Sequence, residues 1–267
     1  MSSGRPGRGQ TAVMSSPLDA FRLDGRVAVV TGAAGGLGLG ISQMFAAAGA
    51  TVVLADLHAR LVAEVAAGLG MAGLGLDVTD QAAVEALAGD VLAQHGRLDV
   101  WVNNAGLSHA RQRGGELRAA DIRAVEETNL LGMMLATRVA LRGMQAQPGG
   151  GTVYNMEGFG SNGMQAPGMS LYGASKFALT YFNKALLAET GDGPVKVCYL
   201  SPGIVLTDLL KRDMGSNDPR DWERTQRVYN ILADRVETVT PFLAEGILRE
   251  QPAGARVAWL TRGKAAG

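Results

Sequence analysis

From Val27 to Ala55 the chain runs without a charged residue. A stretch of that length raises the question of a membrane span, for which about 20 apolar residues suffice. Its internal order answers the question. RVAVVT (26 to 31) is a short β-branched run, and a glycine-rich turn then leads into LGISQMFAAAGA, a small-residue helix that stops at Gly49. With six glycines and a Thr-Gly turn inside it, the stretch reads as a strand, loop and helix buried within a sheet protein. No membrane partner is expected.

The same alternation continues downstream. TVVLAD (51 to 56) is the next strand, and an Ala- and Leu-rich helix follows from about His58. The short strand GLGLD ends at Asp77, and Thr79 reads as the N-cap of DQAAVEALAGDVLAQHG. LDVWVNN (98 to 104), GTVYNM and VKVCYLSPG are further strands, separated by the long helices DIRAVEETNLLGMMLATRVALRGM and SLYGASKFALTYFNKALLAET. Strands separated by helices require crossover connections, hence a parallel sheet with helices on both faces. The expected fold class is therefore α/β, a doubly wound, Rossmann-like parallel sheet in a single domain over residues 19–267. A length of 267 residues with 47% apolar content fits one large core. Residues 1–18 are serine-rich and without an acidic residue, and read as a disordered leader, with Met14 as a candidate start.

A formal net charge of zero offers no basic stripe for phosphate backbones, so nucleic acid is excluded as an expected partner. The single cysteine, Cys198, lies in the apolar run VKVCYL and builds neither an intramolecular disulfide nor a multi-Cys metal cluster. It reads as a small buried hydrophobe in a reducing, cytoplasmic setting, and no metal is expected.

In a doubly wound sheet, ligands sit beyond the carboxyl ends of the strands near the switch in strand order. The first strand-to-helix turn, TGAAGGLG, places Gly32, Gly36 and Gly38 where backbone must approach a pyrophosphate and where a helix N-terminus offers free N–H groups. The second strand ends in Asp56, about 20 residues on, where a carboxylate accepts both ribose hydroxyls of an adenosine and repels a 2′-phosphate. The expected cofactor is NAD; Arg60, the nearby cation, would soften that preference and leaves NADP open. Asp56 also suits a helix N-cap, and the two roles are compatible.

Tyr172 and Lys176 are four apart on an expected helix and so share a face. A free phenol, with a pKa of about 10, is a poor base near neutrality. A neighbouring ammonium, joined by the positive nicotinamide of an oxidised cofactor, favours the phenolate. Tyr172 would then exchange a proton with a small-molecule alcohol or carbonyl while hydride moves to or from nicotinamide.

TGAAGGLG, NNAG (103 to 106), Asn129 in TNLLG, YGASK and SPG (201 to 203) occur in the order and spacing of the short-chain dehydrogenases/reductases, a family that the chain resembles over about residues 20 to 210. The resemblance implies catalytic roles for Tyr172, Lys176 and Asn129, the last anchoring a water chain. It implies cofactor contacts at Gly32, Gly36, Leu37 and Gly38, at Asp77 and Val78 by the adenine, and at Asn104. At the nicotinamide end it implies Pro202, Gly203, Ile204 and Thr207, with Tyr172 and Lys176 also touching the cofactor. Asn103 is expected to tie strands together. A homodimer or homotetramer built on the long helices is implied as well.

One family feature is missing. The serine that polarises the substrate carbonyl falls at Glu157 or Gly158 when Asn155 is aligned with the family's asparagine, and at Phe159 when 13 residues are counted back from Tyr172. Ser161, in the glycine-flanked loop GFGSNG, is the nearest hydroxyl; it reads either as the substituted donor or as a plain turn residue. Glu157 reads either as a carboxylate facing the substrate or as a strand-end residue paired with an arginine. NMEGFGSNG, LSPGIVLTDLL and the tail segments NILADRVETVTPFLAEGIL and WLTRG look like the pattern of the chlorophyll(ide) b reductases, which reduce a formyl group on a chlorin ring to hydroxymethyl. The segment at about 207–245 is charged, with Trp222 and Tyr229 spaced as on an amphipathic helix, and the family resemblance implies that it covers the substrate and sets specificity. His109 is a candidate pocket residue or a solvated loop histidine; His58 and His95 read as surface residues. Against an oxidoreductase acting on a chlorin-like or other bulky aldehyde stand two alternatives: a generic secondary-alcohol dehydrogenase, and a dinucleotide-sensing binding protein that lost its chemistry with the serine.

Overall fold

Each strand segment alternates its side chains between two apolar layers, and that alternation builds the molecule. In the computed structural model, which describes residues 23–213, 219–249 and 251–260, β1 (Val27–Thr31) is buried at every position. Ala28 and Val30 point to one layer, Val27 and Val29 to the other. β2 (Thr51–Asp56), β3 (Ala72–Gly75), β4 (Val100–Asn103), β5 (Gly151–Met156), β6 (Val195–Ser201) and β9 (Arg256–Ala258) join it in one sheet of order β3-β2-β1-β4-β5-β6-β9. All of its pairings are parallel. This is the expected doubly wound fold, in a single domain.

Helices cover both faces. α1 (Gly36–Ala47), α2 (Ala59–Gly68) and α9 (Val236–Leu248) pack on one layer through Ile41, Phe45, Val62 and Leu243. α3 (Gln81–His95), α5 (Met133–Gln145) and α6 (Ser170–Thr190) pack on the other through Val84, Ala136, Met144 and Leu186. Cys198 is buried in the first layer, as its apolar context suggests. Among the described residues no helix is long and apolar enough to cross a membrane, and no cluster of three or more His, Cys, Asp or Glu gathers as metal ligands.

Several expectations change. Asp80, not Thr79, caps α3, its carboxylate accepting from the Ala82 and Ala83 N–H groups, while Thr79 instead donates to Asp77. The long helix before β5 is interrupted: α4 (Ala119–Glu126) passes through a π-helical stretch, Glu127–Gly132, into α5. A two-stranded ribbon of β7 (Ile204–Val205) and β8 (Ala233–Asp234) also forms. Between its strands lie α7 (Asp208–Asp213) and α8 (Pro219–Leu232). The segment expected as cover at 207–245 therefore divides at Val236. From Val236 onward α9 is core, its Val239, Leu243 and Ala244 buried and its Thr240 against Gly40 of α1. The leader at 1–18 and the side chain of Trp222 lie outside the described residues.

Candidate active site

The switch in strand order falls between β1 and β4, and there the strand ends open into a cleft of about 840 Å3. The glycine-rich turn forms one wall. Gly32 has φ +64°, and a Cβ there would stand 2.8 Å from the Ala105 Cα, so no other residue fits without displacing the next strand's loop. Gly38 does not line the cleft: a Cβ on it would lie 2.2 Å from the Gly32 carbonyl, so its role is to let α1 press against the turn. Asn104 clamps the same turn by donating to the carbonyls of Thr31 (3.1 Å) and Gly32 (3.0 Å). Gly36 and Leu37 line the cleft at the N-terminus of α1, where no side chain caps the helix and no acidic residue occupies the first turn. An anion is thus met by unpaired N–H groups and the positive end of the helix dipole. These residues fit a dinucleotide's pyrophosphate.

Asp56 lines the cleft at the end of β2. One of its oxygens accepts from the His58 N–H at 2.9 Å and the other from the Ala34 N–H at 3.1 Å, which ties the end of β2 to the glycine turn. Asp77 and Val78 line the wall beyond. Pro202, Gly203, Ile204 and Thr207 also line the cleft, and the Thr207 Cγ2 would be 3.4 Å from a Cβ on Gly36.

Tyr172 and Lys176 stand one turn apart on α6, both buried and both on the cleft wall. The ammonium lies 5.8 Å from the centroid of the phenol ring and donates to the Met156 carbonyl at 3.2 Å. Burial pushes the Lys176 ammonium down to about 8, and Glu157 opposes the drop.

Asn129 sits in the π-helical stretch and is fully buried behind the cleft. Its Oδ1 accepts from the Leu107 N–H at 2.7 Å, and its Nδ2 donates to the Leu107 carbonyl and to Ser175 Oγ. The π-bulge turns this side chain toward the loop after β4, a use common at functional sites. Asn103 donates to Thr137 and to Asn155, and Asn155 donates to Asn183, so a buried amide network braces β4, β5, α5 and α6 beneath the site.

The structure does not bring Ser161 into the cleft. Its Oγ accepts from the Gly158 N–H at 3.0 Å, closing the turn that follows β5, and it is absent from the cleft wall. Glu157 pairs with an arginine, its Oε1 accepting from the Arg256 guanidinium at 2.7 Å, and it also lines the cleft. Gly158 is the position that matters for the absent serine, since a Cβ there would stand 2.5 Å from the Tyr172 hydroxyl. His109 is buried off the cleft wall, its Nδ1 2.6 Å from the Ala110 carbonyl, so neither its pocket reading nor its solvated reading holds. Sequence reasoning missed Arg256, which lies in the irregular tail, and Ser175, visible only as a letter within YGASK.

The short chain dehydrogenase model matches residues 26–217. The chain belongs to the short-chain dehydrogenase family. As a family member it is 31% identical to a probable chlorophyll(ide) b reductase, NYC1, of Oryza sativa subsp. japonica, over 88% of this chain and 50% of that protein. It is 38% identical to the D-threitol dehydrogenase of Mycolicibacterium smegmatis, over 71% of this chain and 74% of that protein. The chain thus spans about half the length of the NYC1 relative. A solved structure, the 3-ketoacyl-(acyl-carrier-protein) reductase of Brucella melitensis complexed with NADH, shares the fold of this short-chain dehydrogenase at a TM-score of 0.78 and 24% identity, over 89% of this chain and 97% of that one.

Proposed function

We propose that the protein is an NAD(P)-dependent oxidoreductase interconverting an alcohol and a carbonyl on a bulky, largely apolar molecule, a formyl group on a chlorin-like or comparably large aldehyde being the form that the relatives suggest. The observation that carries this reading is the placement of Tyr172 and Lys176 on the wall of the same cleft that the glycine turn enters. A bound nicotinamide dinucleotide supplies the hydride acceptor or donor. The chain's own residues do the rest. The glycine turn and the α1 N-terminus hold the pyrophosphate, Tyr172 gives or takes the proton at its hydroxyl, and Lys176 places a positive charge beside it. Asn129 ties the π-bulge to the loop that floors the site.

A large substrate is supported by the apolar part of the cleft wall, to which Leu107, Met164, Pro167, Met169, Leu210 and Val228 contribute. Such a surface suits an apolar body more than a polyol. The likeness to D-threitol dehydrogenase favours the second reading, a secondary-alcohol dehydrogenase of smaller substrates. Screening the protein with reduced dinucleotide against bulky aldehydes and against polyols with oxidised dinucleotide separates the two. Tyr172→Phe is expected to lower turnover by about 10²–10⁴-fold while leaving dinucleotide affinity nearly intact; retained turnover would remove Tyr172 from the proton transfer.

The Asp56 carboxylate supports NAD over NADP by repulsion of a 2′-phosphate. Asp56→Ala is expected to narrow the ratio of kcat/KM for the two cofactors by about tenfold or more, and a parent already selective for NADP would refute the preference.

A further inference from the structure

Lys176 is 3% exposed, and among the described residues no carboxylate is in ion-pair contact with it. A buried ammonium is disfavoured unless a negative charge faces it. The segment wrapped around this lysine supplies one. Met156 offers its carbonyl to the ammonium at 3.2 Å, and a Cβ on Gly158 would lie 3.2 Å from the lysine's Cε. Between them stands Glu157, 9% exposed.

Glu157 is itself anchored. Its Oε1 accepts from Arg256 at 2.7 Å, and that guanidinium lies 5.7 Å from the Tyr199 ring centroid. The pair therefore reaches from the end of β5 across β6 to β9. Burial pushes the Glu157 carboxyl up, while Arg256, a hydrogen bond from Ser201 and Lys176 draw it back down. Among the described residues, the ionisable groups that interact with Lys176 are Tyr172 on its own helix and Glu157 just after β5, with Arg256 of β9 and Tyr199 of β6 behind Glu157; the π-helical stretch presents the neutral Asn129.

We propose that Glu157 is a positioning residue: its carboxylate, fixed by Arg256, supplies the negative charge that keeps the enclosed Lys176 ammonium charged beside Tyr172. This rests on the reading of Tyr172 and Lys176 as the acid/base pair. At the two positions where the family's hydroxyl is expected, this chain carries a carboxylate that tunes the lysine and a hydrogen atom that makes room for the phenol. A plain structural tie between β5 and β9 would have no bearing on the charge of Lys176, and this difference is measurable.

The test uses the full chain with 13C at lysine Cε. Five lysines give five signals, and the one missing from Lys176→Met is followed against pH. In the parent the signal is expected to titrate near pH 8, and in Glu157→Gln its midpoint falls by about one unit. Glu157→Asp, which keeps the charge, restores most of the parental midpoint. Should Glu157→Gln not fold, Glu157→Ser reads the same downward shift with water in the vacated volume. A midpoint unmoved in either neutral variant overturns the proposal. Carbonyl reduction at pH 8 is expected to drop about fivefold in Glu157→Gln, following the lost ammonium fraction. A parent with no turnover on any carbonyl would instead sink the acid/base reading, while the resonance alone still decides the electrostatic role.

Discussion

A side chain at position 158 would collide with the phenol that the family's serine assists. The Tyr172 hydroxyl stands 2.5 Å from where a Cβ on Gly158 would begin, closer than real Cβ contacts allow, so a side chain there requires the phenol to move. Gly158→Ser, which restores the family's residue, is therefore expected to lower kcat by about tenfold or more through displacement of the phenol, with dinucleotide affinity unchanged. Steady-state kinetics together with a binding titration check this, and a rise in kcat would show that the hydroxyl is accommodated. At this scale the sequence was most readable where chemistry is carried by residue type. The glycine turn, Asp56, Tyr172 and Lys176 each announce themselves through a requirement that few residues meet. Ser161 misled because a flexible loop around a hydroxyl says nothing of direction; its Oγ serves the Gly158 N–H instead. Arg256 was illegible because its partner lies 99 residues away in sequence, at the end of another strand.

Among the elements, α1 and α9 meet through the smallest side chain available. A Cβ on Gly40 would lie 2.5 Å from the Thr240 Cγ2, with Thr240 itself buried. Gly40→Val is expected to force the helices apart and to destabilise the fold by about 1–3 kcal/mol, which urea unfolding measures; an unchanged midpoint would mean that α9 adjusts freely. The central strands were legible because their runs are β-branched and apolar on both faces, and α6 because its pattern extends over 21 residues. β7, β8 and β9 have two, two and three residues, too few for a period to register, and their pairing is decided by the chain segments that deliver them. α9 overlaps the segment expected to cover the substrate, yet its Val239, Leu243 and Ile247 recur at helical spacing and are buried. Within α3 the capping signal was offset by one residue, since Thr79 and Asp80 are both good cap residues and only backbone geometry chooses between them.

For the molecule as a whole, two buried groups pull the pH dependence of stability in opposite directions. Lys176 ionises near 8 in the fold against 10.5 when free, so between those values the unfolded chain binds more protons, and stability rises with pH. Cys198 is pushed up from 9.0 to about 11 by burial. Its contribution is fully present below pH 9 and is lost as pH rises through 11, and Tyr154, also raised by burial, acts in the same sense at higher pH. Stability is therefore expected to climb by about 1 kcal/mol per unit from pH 8 to 9 and to level off or fall above it. Chemical denaturation across this range checks the shape, and Cys198→Ala should prolong the climb; a flat profile from 8 to 9 would contradict the burial cost of Lys176. The mouth of the cleft carries a different kind of consequence. Arg111, on the loop after β4, reaches the Tyr229 hydroxyl of α8 at 3.4 Å, a contact between two segments that both line the cleft. A bulky substrate of the proposed kind is expected to part this contact on entry, so Arg111→Ala should quicken the exchange of large molecules more than that of small ones.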